Sequence, residues 1–171
     1  MNNIKVLIDE KEIKKRVEYL GKKITKQYKG KELVLICILK GSTYFTADLS
    51  RYIENDITLD FMKVSSYGNS TESSGNIELK MDLSTNIKDK DVIIIEDIID
   101  TGYTLKYLKE YLYTKKPNSI KICTLLDKKP RRKIDIEADY VGFEIEDKFV
   151  VGYGLDYMEK YRNLPYVGYI E

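Results

Sequence analysis

Glu96, Asp97 and Asp100 stand within a few residues of Thr101, Gly102 and Thr104, in the stretch Val92-Ile-Ile-Ile-Glu-Asp-Ile-Ile-Asp-Thr-Gly-Tyr-Thr104. Acidic side chains of this kind hold a hard cation or sugar hydroxyls. A small-residue turn that opens a helix offers backbone N–H groups to a phosphate, and Gly102 lets the backbone come close to it. A ligand carrying both a phosphate and a polyhydroxyl ring would satisfy both halves of the loop. The plain alternative is an acidic strand end followed by a helix capped by Asp100 or Thr101. The combination Glu-Asp-x-x-Asp-Thr-Gly-x-Thr after an apolar strand favours the ligand site, because strand, turn and helix are the context such motifs require.

The elements that must position this loop are legible on either side of it. Val92 to Ile95 is a β-branched run, as in a strand buried on both faces, and Leu105, Leu108 and Leu112 recur at helical spacing. A second unit of the same form runs from the apolar strand Leu33–Leu39 through Lys40-Gly41-Ser42 to a short helix carrying Phe45, Leu49 and Ile53. At a strand's carboxyl end, Lys40 and the amides of that turn can meet an anion. Upstream, Asp9 and Glu12 have capping-box spacing. Ile13, Val17, Leu20, Ile24 and Tyr28 give a helical stripe that Gly30 ends.

Ile57 to Val64 reads as a strand with Ile57, Leu59 and Phe61 alternating. Residues 65–75, from Ser65 through Ser66 and Tyr67 to Gly75, are nearly all small or polar. A loop of that length suggests a lid over a reacting centre rather than a simple hairpin. Asn76 to Met81 is its returning strand. Ile120 to Leu126 is a further buried strand, followed by the charge run Asp127 to Lys133. Such a run is usually solvated, although one lysine at the strand end can point into a site. Tyr140–Phe143 and Phe149–Tyr153 read as short strands, and Asp156 and Arg162 lie in a tyrosine-rich tail. Strands alternating with helices predict an α/β domain with a mostly parallel sheet.

Composition narrows the chemistry. The chain of 171 residues has 29 Lys and Arg against 28 Asp and Glu, and no histidine. Ser-His-Asp catalysis and imidazole metal ligands are therefore excluded. Proton transfer falls to Asp, Glu, Lys or Tyr, and a metal site would be built from oxygens, which points to magnesium or calcium. The balanced charge argues against a general nucleic-acid binder. Cys37 and Cys123 sit in apolar runs and read as buried thiols. Met1 to Arg16 is studded with charges, and the longest apolar run falls far short of the roughly 20 residues a membrane span needs. A cytoplasmic protein is expected, without a membrane partner.

The central motif resembles the phosphoribosyl-pyrophosphate (PRPP) motif of type I phosphoribosyltransferases, in the form found in the hypoxanthine-guanine branch. The resemblance extends to Leu39-Lys40-Gly41-Ser42, the Ser66-Tyr67 loop and Asp127-Lys128-Lys129-Pro130-Arg131. It also covers the block from Tyr140 through Asp147-Lys148-Phe149-Val150-Val151-Gly152-Tyr153-Gly154-Leu155-Asp156 to Arg162-Asn163-Leu164. It implies a single phosphoribosyltransferase domain over residues 1–171, with a mostly parallel sheet flanked by helices. A lid over residues 65–75 and a small hood from the N- and C-terminal segments complete that fold.

The implied reaction moves the 5-phosphoribosyl group of PRPP to N9 of hypoxanthine, with guanine as a further acceptor. It yields IMP or GMP and pyrophosphate, with magnesium as cofactor, in purine salvage. By the resemblance, Asp100 is the general base near purine N7. Glu96 and Asp97 face the ribose hydroxyls and magnesium. Thr101, Gly102, the amide of Tyr103 and Thr104 cradle the 5′-phosphate. Lys40, next to a cis Leu39–Lys40 peptide, Gly41 and Arg162 bind pyrophosphate. Lys128 reads the 6-oxo group, Phe149 stacks on the base and the Val150 backbone bonds its edge. Lys148 and Asp156 complete the pocket, Asp156 as ligand of a second magnesium; Ser66 and Tyr67 belong to the lid. Tyr103 departs from the basic or aliphatic residue of many relatives, with little effect expected because its backbone serves. A homodimer or homotetramer is implied.

Three other readings compete. Within the enzyme class, the base could be another 6-oxopurine such as xanthine. A regulator that binds RNA on the same fold would need a basic face able to neutralise several phosphates, and the only basic cluster is Lys128 to Lys133. A prenyl-diphosphate synthase would carry its acid pairs on helices, whereas Glu96-Asp97 ends a β-branched strand.

Overall fold

The computed structural model describes residues 4–66 and 77–170. Tyr67, and most of the expected lid, lie outside the described residues.

The elements in chain order are β1 (Ile4–Ile8), α1 (Glu10–Gln27), β2 (Leu33–Leu39), α2 (Thr43–Ser50), β3 (Ile57–Ser66), β4 (Ile77–Met81), β5 (Asp91–Ile99), α3 (Tyr103–Tyr113), β6 (Ser119–Asp127), β7 (Tyr140–Glu144), β8 (Val150–Val151) and β9 (Val167–Ile170). Six strands form the main sheet in the order β4-β3-β2-β5-β6-β7. All neighbours are parallel except β4, which runs antiparallel to β3. The strand order reverses between β2 and β5. In an open α/β sheet, that reversal is where the loops at the carboxyl ends part and leave a crevice.

The apolar runs explain why the sheet is covered on both faces. In β2, Leu33 and Leu35 join Ile93, Ile95 and the α1 and α2 residues Ile13, Val17, Phe45 and Leu49 in one core. Val34, Ile36 and Ile38 join Met62, Ile94 and the α3 residues Leu105, Leu108 and Leu112 in the other. The α1 stripe is buried as its spacing predicts, and the helix starts at a complete capping box, Glu12 N–H to Asp9 and Asp9 N–H to Glu12.

Two features depart from the sequence expectations. The apolar alternation of β3 does not face the core. Leu59 and Phe61 are exposed, while Asp60 and Met62 are buried. β3 lies outside β2, next to the edge strand. Asp60 is tolerated inside because it accepts N–H bonds from Phe61 (2.8 Å), Ser84 (3.0 Å) and Thr85 (2.7 Å).

The second departure is a separate three-stranded antiparallel sheet, β1-β9-β8. Neither β1 nor β9 is evident from periodicity, because each is short and interrupted by charge or glycine. The segment read as a strand over Phe149–Tyr153 keeps only Val150–Val151 as β8. It then bends through Gly152, Tyr153 and Gly154, all at positive φ.

Candidate active site

The carboxyl ends of β2, β5 and β6 lie side by side, and the loops that leave them meet at the reversal between β2 and β5. A cleft of about 190 Å³ opens there, lined by Glu96, Asp97, Ile98, Ile99, Asp100, Thr101, Gly102, Thr104 and Leu105. A larger cavity of about 580 Å³ lies elsewhere, between α1, α2 and residues 163–165. The smaller cleft holds the acid pair, and chemistry is decided by the groups present rather than by size.

Glu96 is buried, and Asp97 lies beside it with its N–H donating to the Glu96 carboxylate (3.0 Å). Burial, and after it the neighbouring Asp97 carboxylate, push the Glu96 carboxyl well above its ordinary value. Burial also raises Asp97, against the opposing pull of its hydrogen bonds and the Arg162 charge. Two adjoining carboxylates that resist ionisation are a natural seat for a cation. Magnesium keeps several waters and is held by one or two carboxylates plus substrate oxygens, and this pair fits that role. Among the described residues, no group of three or more Cys, Asp or Glu side chains converges on a single point.

The turn after β5 is shaped for an anion. The N-cap of α3 is Gly102, at φ 94°, which has no side chain of its own to cap the helix. The plain alternative of an Asp100 or Thr101 cap therefore does not apply. The Asp100 carboxylate instead accepts from Nε of Arg131 at 3.2 Å, and Arg131 also lies 3.7 Å from Asp147. Tyr103 is the first residue of α3, so its amide belongs to the first turn, whose N–H groups have no partner within the helix.

The loop after β2 is wedged against the acid pair. The Leu39–Lys40 peptide bond is cis. A Cβ on Gly41 would fall 1.6 Å from Oδ2 of Asp97, and one on Gly154 would fall 1.9 Å from the Gly41 carbonyl oxygen. Only hydrogen at both positions lets the three segments meet. The Lys40 ammonium lies 3.0 Å from Oε2 of Glu159. Arg162 donates to the Gly154 carbonyl (2.7 Å) and pairs with Asp156 (2.8 Å).

Opposite, Lys128 is buried, with Nζ donating to the Lys148 carbonyl (2.8 Å) and 3.7 Å from Asp147. Lys148 meets Lys128 through its backbone, and its own ammonium lies over the Tyr169 ring. Phe149 is 55% exposed and packs edge-on against Tyr157, with centroids 5.6 Å apart. A ring so open is available for stacking. Val150 is buried and paired with Tyr169 of β9. Ser66 ends β3.

One residue of the site escapes sequence reasoning. Arg132, in the run expected to be solvated, is largely buried. It pairs with the fully buried Asp127, donates to the Ile136 carbonyl, and donates from Nε to the Asp100 carbonyl (3.2 Å). Lys133 and Ile134 N–H groups bond the Thr101 carbonyl (3.0 and 3.1 Å), and the Lys128 N–H bonds that of Ile99 (2.9 Å). The loop after β6 thus braces the anion turn. The one available signal was that Arg132 has a carboxylate, Asp127, at the end of the preceding strand.

A glycine-led helix start, an acid pair and a switch-point cleft together suit a ligand that carries a phosphate and a sugar. The family model described as the phosphoribosyl transferase domain matches residues 4–158, and the chain belongs to this family. Within it, the chain is 54% identical over 167 residues to the hypoxanthine-guanine phosphoribosyltransferase of Bacillus subtilis (strain 168), covering 98% of this chain and 93% of that one. The solved hypoxanthine-guanine phosphoribosyltransferase of Bacillus anthracis, with a HEPES molecule in its active site, superposes with a TM-score of 0.95. It is 50% identical and covers 99% of this chain and 100% of its own. A hypoxanthine phosphoribosyltransferase structure from Staphylococcus aureus gives a TM-score of 0.94 at 53% identity, covering 98% and 91%.

Proposed function

We propose that this enzyme transfers the 5-phosphoribosyl group of PRPP to N9 of hypoxanthine, and of guanine, giving IMP or GMP and pyrophosphate in purine salvage. The observation that carries the reading is the glycine-led start of α3 directly beside buried Glu96 and half-buried Asp97, within one cleft at the sheet's switch point. A phosphate and a ribose need those two environments a few ångströms apart.

In this reading the amides of Thr101 to Thr104, with both threonine hydroxyls, hold the 5′-phosphate. Glu96 and Asp97 hold the ribose hydroxyls and magnesium, and Asp156 would ligate a second ion. When bound, magnesium neutralises charge on the pyrophosphate leaving group. Lys40, the Gly41 amide and Arg162 bind that group and stabilise it as the glycosidic bond breaks. Phe149 stacks on the base, the Val150 backbone bonds its edge, and Lys148 and Asp156 close the pocket. Lys128 donates to the 6-oxo oxygen, which an adenine amino group cannot replace as acceptor. Asp100 takes the proton that leaves the ring as N9 attacks. For this, Arg131 must yield the carboxylate it holds.

Several finer points belong to the same proposal. The chain is one domain over residues 1–171, the sheet β1-β9-β8 is its hood, and residues 65–75, including Ser66 and Tyr67, close over the pyrophosphate. Exposed Leu59, Phe61 and Met81 on β3 and β4 support a homodimer or homotetramer. No described helix is long and apolar enough to cross a membrane; a cytoplasmic location is part of this proposal. The test is a radiolabelled-base assay with PRPP and magnesium. Nucleotide should form from hypoxanthine and guanine and vanish with a chelator. Nucleotide from adenine but not hypoxanthine would reject the reading.

A further inference from the structure

Lys40 and Arg162 come from distant parts of the chain, yet one atom joins them. Oε2 of Glu159 lies 3.0 Å from Nζ of Lys40 and 3.4 Å from Nη2 of Arg162. The Glu159 side chain is 64% exposed, so packing does not force it there. The backbone does. Met158, Glu159 and Tyr161 all hold positive φ, at 52°, 63° and 73°, a region costly for side chains of this size. The Glu159 N–H donates to Asp156 (2.8 Å), and Tyr157 and Lys160 exchange backbone bonds at 3.1 and 3.0 Å. This tight turn presents a carboxylate between two cations. The hydrogen bond from Lys40 holds the Glu159 carboxyl below its ordinary value, despite a small opposing effect of burial, with Arg162 adding to the lowering.

We infer that Glu159 is a built-in anion that takes the place of pyrophosphate between Lys40 and Arg162 and competes with it. The inference rests on the assignment of those two cations to pyrophosphate under the proposed function. Entry of PRPP must turn the Glu159 carboxylate away. Once the glycosidic bond has broken, the carboxylate can return and displace the product. A tethered competitor of this kind weakens binding of both PRPP and pyrophosphate and hastens release of the latter. Without it, Lys40 and Arg162 would hold the product more firmly.

The expected size follows from the pairs that are lost. Both are exposed and individually weak, so removing the competitor should tighten pyrophosphate about three- to tenfold.

The test is titration calorimetry of magnesium pyrophosphate into the full-length wild type, Glu159→Gln and Glu159→Asn. Asparagine tolerates positive φ and guards against a backbone artefact. Product inhibition against PRPP is measured alongside. Tighter pyrophosphate in both variants, with a lower PRPP KM and a contrast that shrinks in high salt, is the expected result. Equal or weaker pyrophosphate binding in both variants, with wild type still binding it competitively with PRPP, overturns the inference and leaves the proposed function standing. Failure of wild type to bind pyrophosphate competitively with PRPP removes the assignment of Lys40 and Arg162, and this inference with it.

Discussion

Substituting Gly41 by alanine probes the point where three segments of the site meet. The new Cβ would sit 1.6 Å from Oδ2 and 2.6 Å from Cγ of Asp97, whereas real Cβ contacts stay beyond 3.0 Å. Asp97 or the Lys40 loop must therefore retreat by about 1.4 Å, and Asp97 can do so only by turning into the cleft it lines. Crowding of this kind costs about 1–3 kcal/mol. For a chain of this length that lowers the melting temperature by about 2–12 °C. Catalysis should suffer more, because a displacement of about 1 Å in a positioning group can cost about 100-fold. The assay is steady-state kcat/KM for PRPP together with a thermal melt. Gly30→Ala is the control. Gly30 has φ 75° and nothing within 4 Å of its added Cβ, so alanine there should cost about 1 kcal/mol of stability and leave turnover unchanged. A Gly41→Ala enzyme with kcat/KM within about twofold of wild type and an unchanged melt would refute the reasoning.

Three further outcomes are expected. Arg132→Ala strands the fully buried Asp127 carboxylate without its counter-charge and should cost about 3–5 kcal/mol in urea unfolding; a loss under about 1 kcal/mol would show that the pair is not the brace. Asp100→Asn should lower kcat about 10²- to 10⁴-fold with little change in the PRPP KM, and an unchanged kcat removes Asp100 from proton transfer. Burial alone would raise the Asp60 carboxyl, but hydrogen bonds from Phe61, Thr85 and Ser84 prevail and hold it below its ordinary value. Ionised Asp60 thus contributes stability above its unfolded value of about 3.9, and the contribution fades as pH falls through the lower folded value. Asp60→Asn should flatten the acid-side loss of stability from about pH 5 downward through the lowered folded value; parallel urea midpoints in the two proteins would count against it.

Where one period dominates, the sequence was read as the molecule folds. The stripe of α1, the buried runs of β2, β5 and β6, and the turns at Lys40 and Thr101 all follow from local pattern. The face of β3 was not legible, because alternation gives two faces but not which one a neighbouring helix covers. Leu59 and Phe61 are left exposed, and Asp60 is acceptable inside through the N–H of Phe61 and, from far along the chain, those of Ser84 and Thr85. β1 and β9 are strands because each is the other's partner, a pairing across nearly the whole sequence. Arg132 reads as a solvated charge for the same reason: its three acceptors, Asp127, Asp100 and Ile136, converge only once β5 and β6 are side by side. Within the site, the acid pair and the anion turn were legible as one segment, whereas the meeting of Gly41, Asp97 and Gly154 exists only in three dimensions.

The brace between the loop after β6 and the turn before α3 has a geometric consequence. Lys128 N–H is tied to Ile99, while Lys133 and Ile134 are tied to Thr101. Under the proposed function, the lysine assigned to the purine and the amides assigned to the phosphate are therefore the two jaws of one caliper, with a span set by main-chain bonds. On that assignment, such a gauge would favour a nucleotide of a single length. A base joined through a longer sugar, or a ribose lacking its phosphate, would touch one jaw and miss the other.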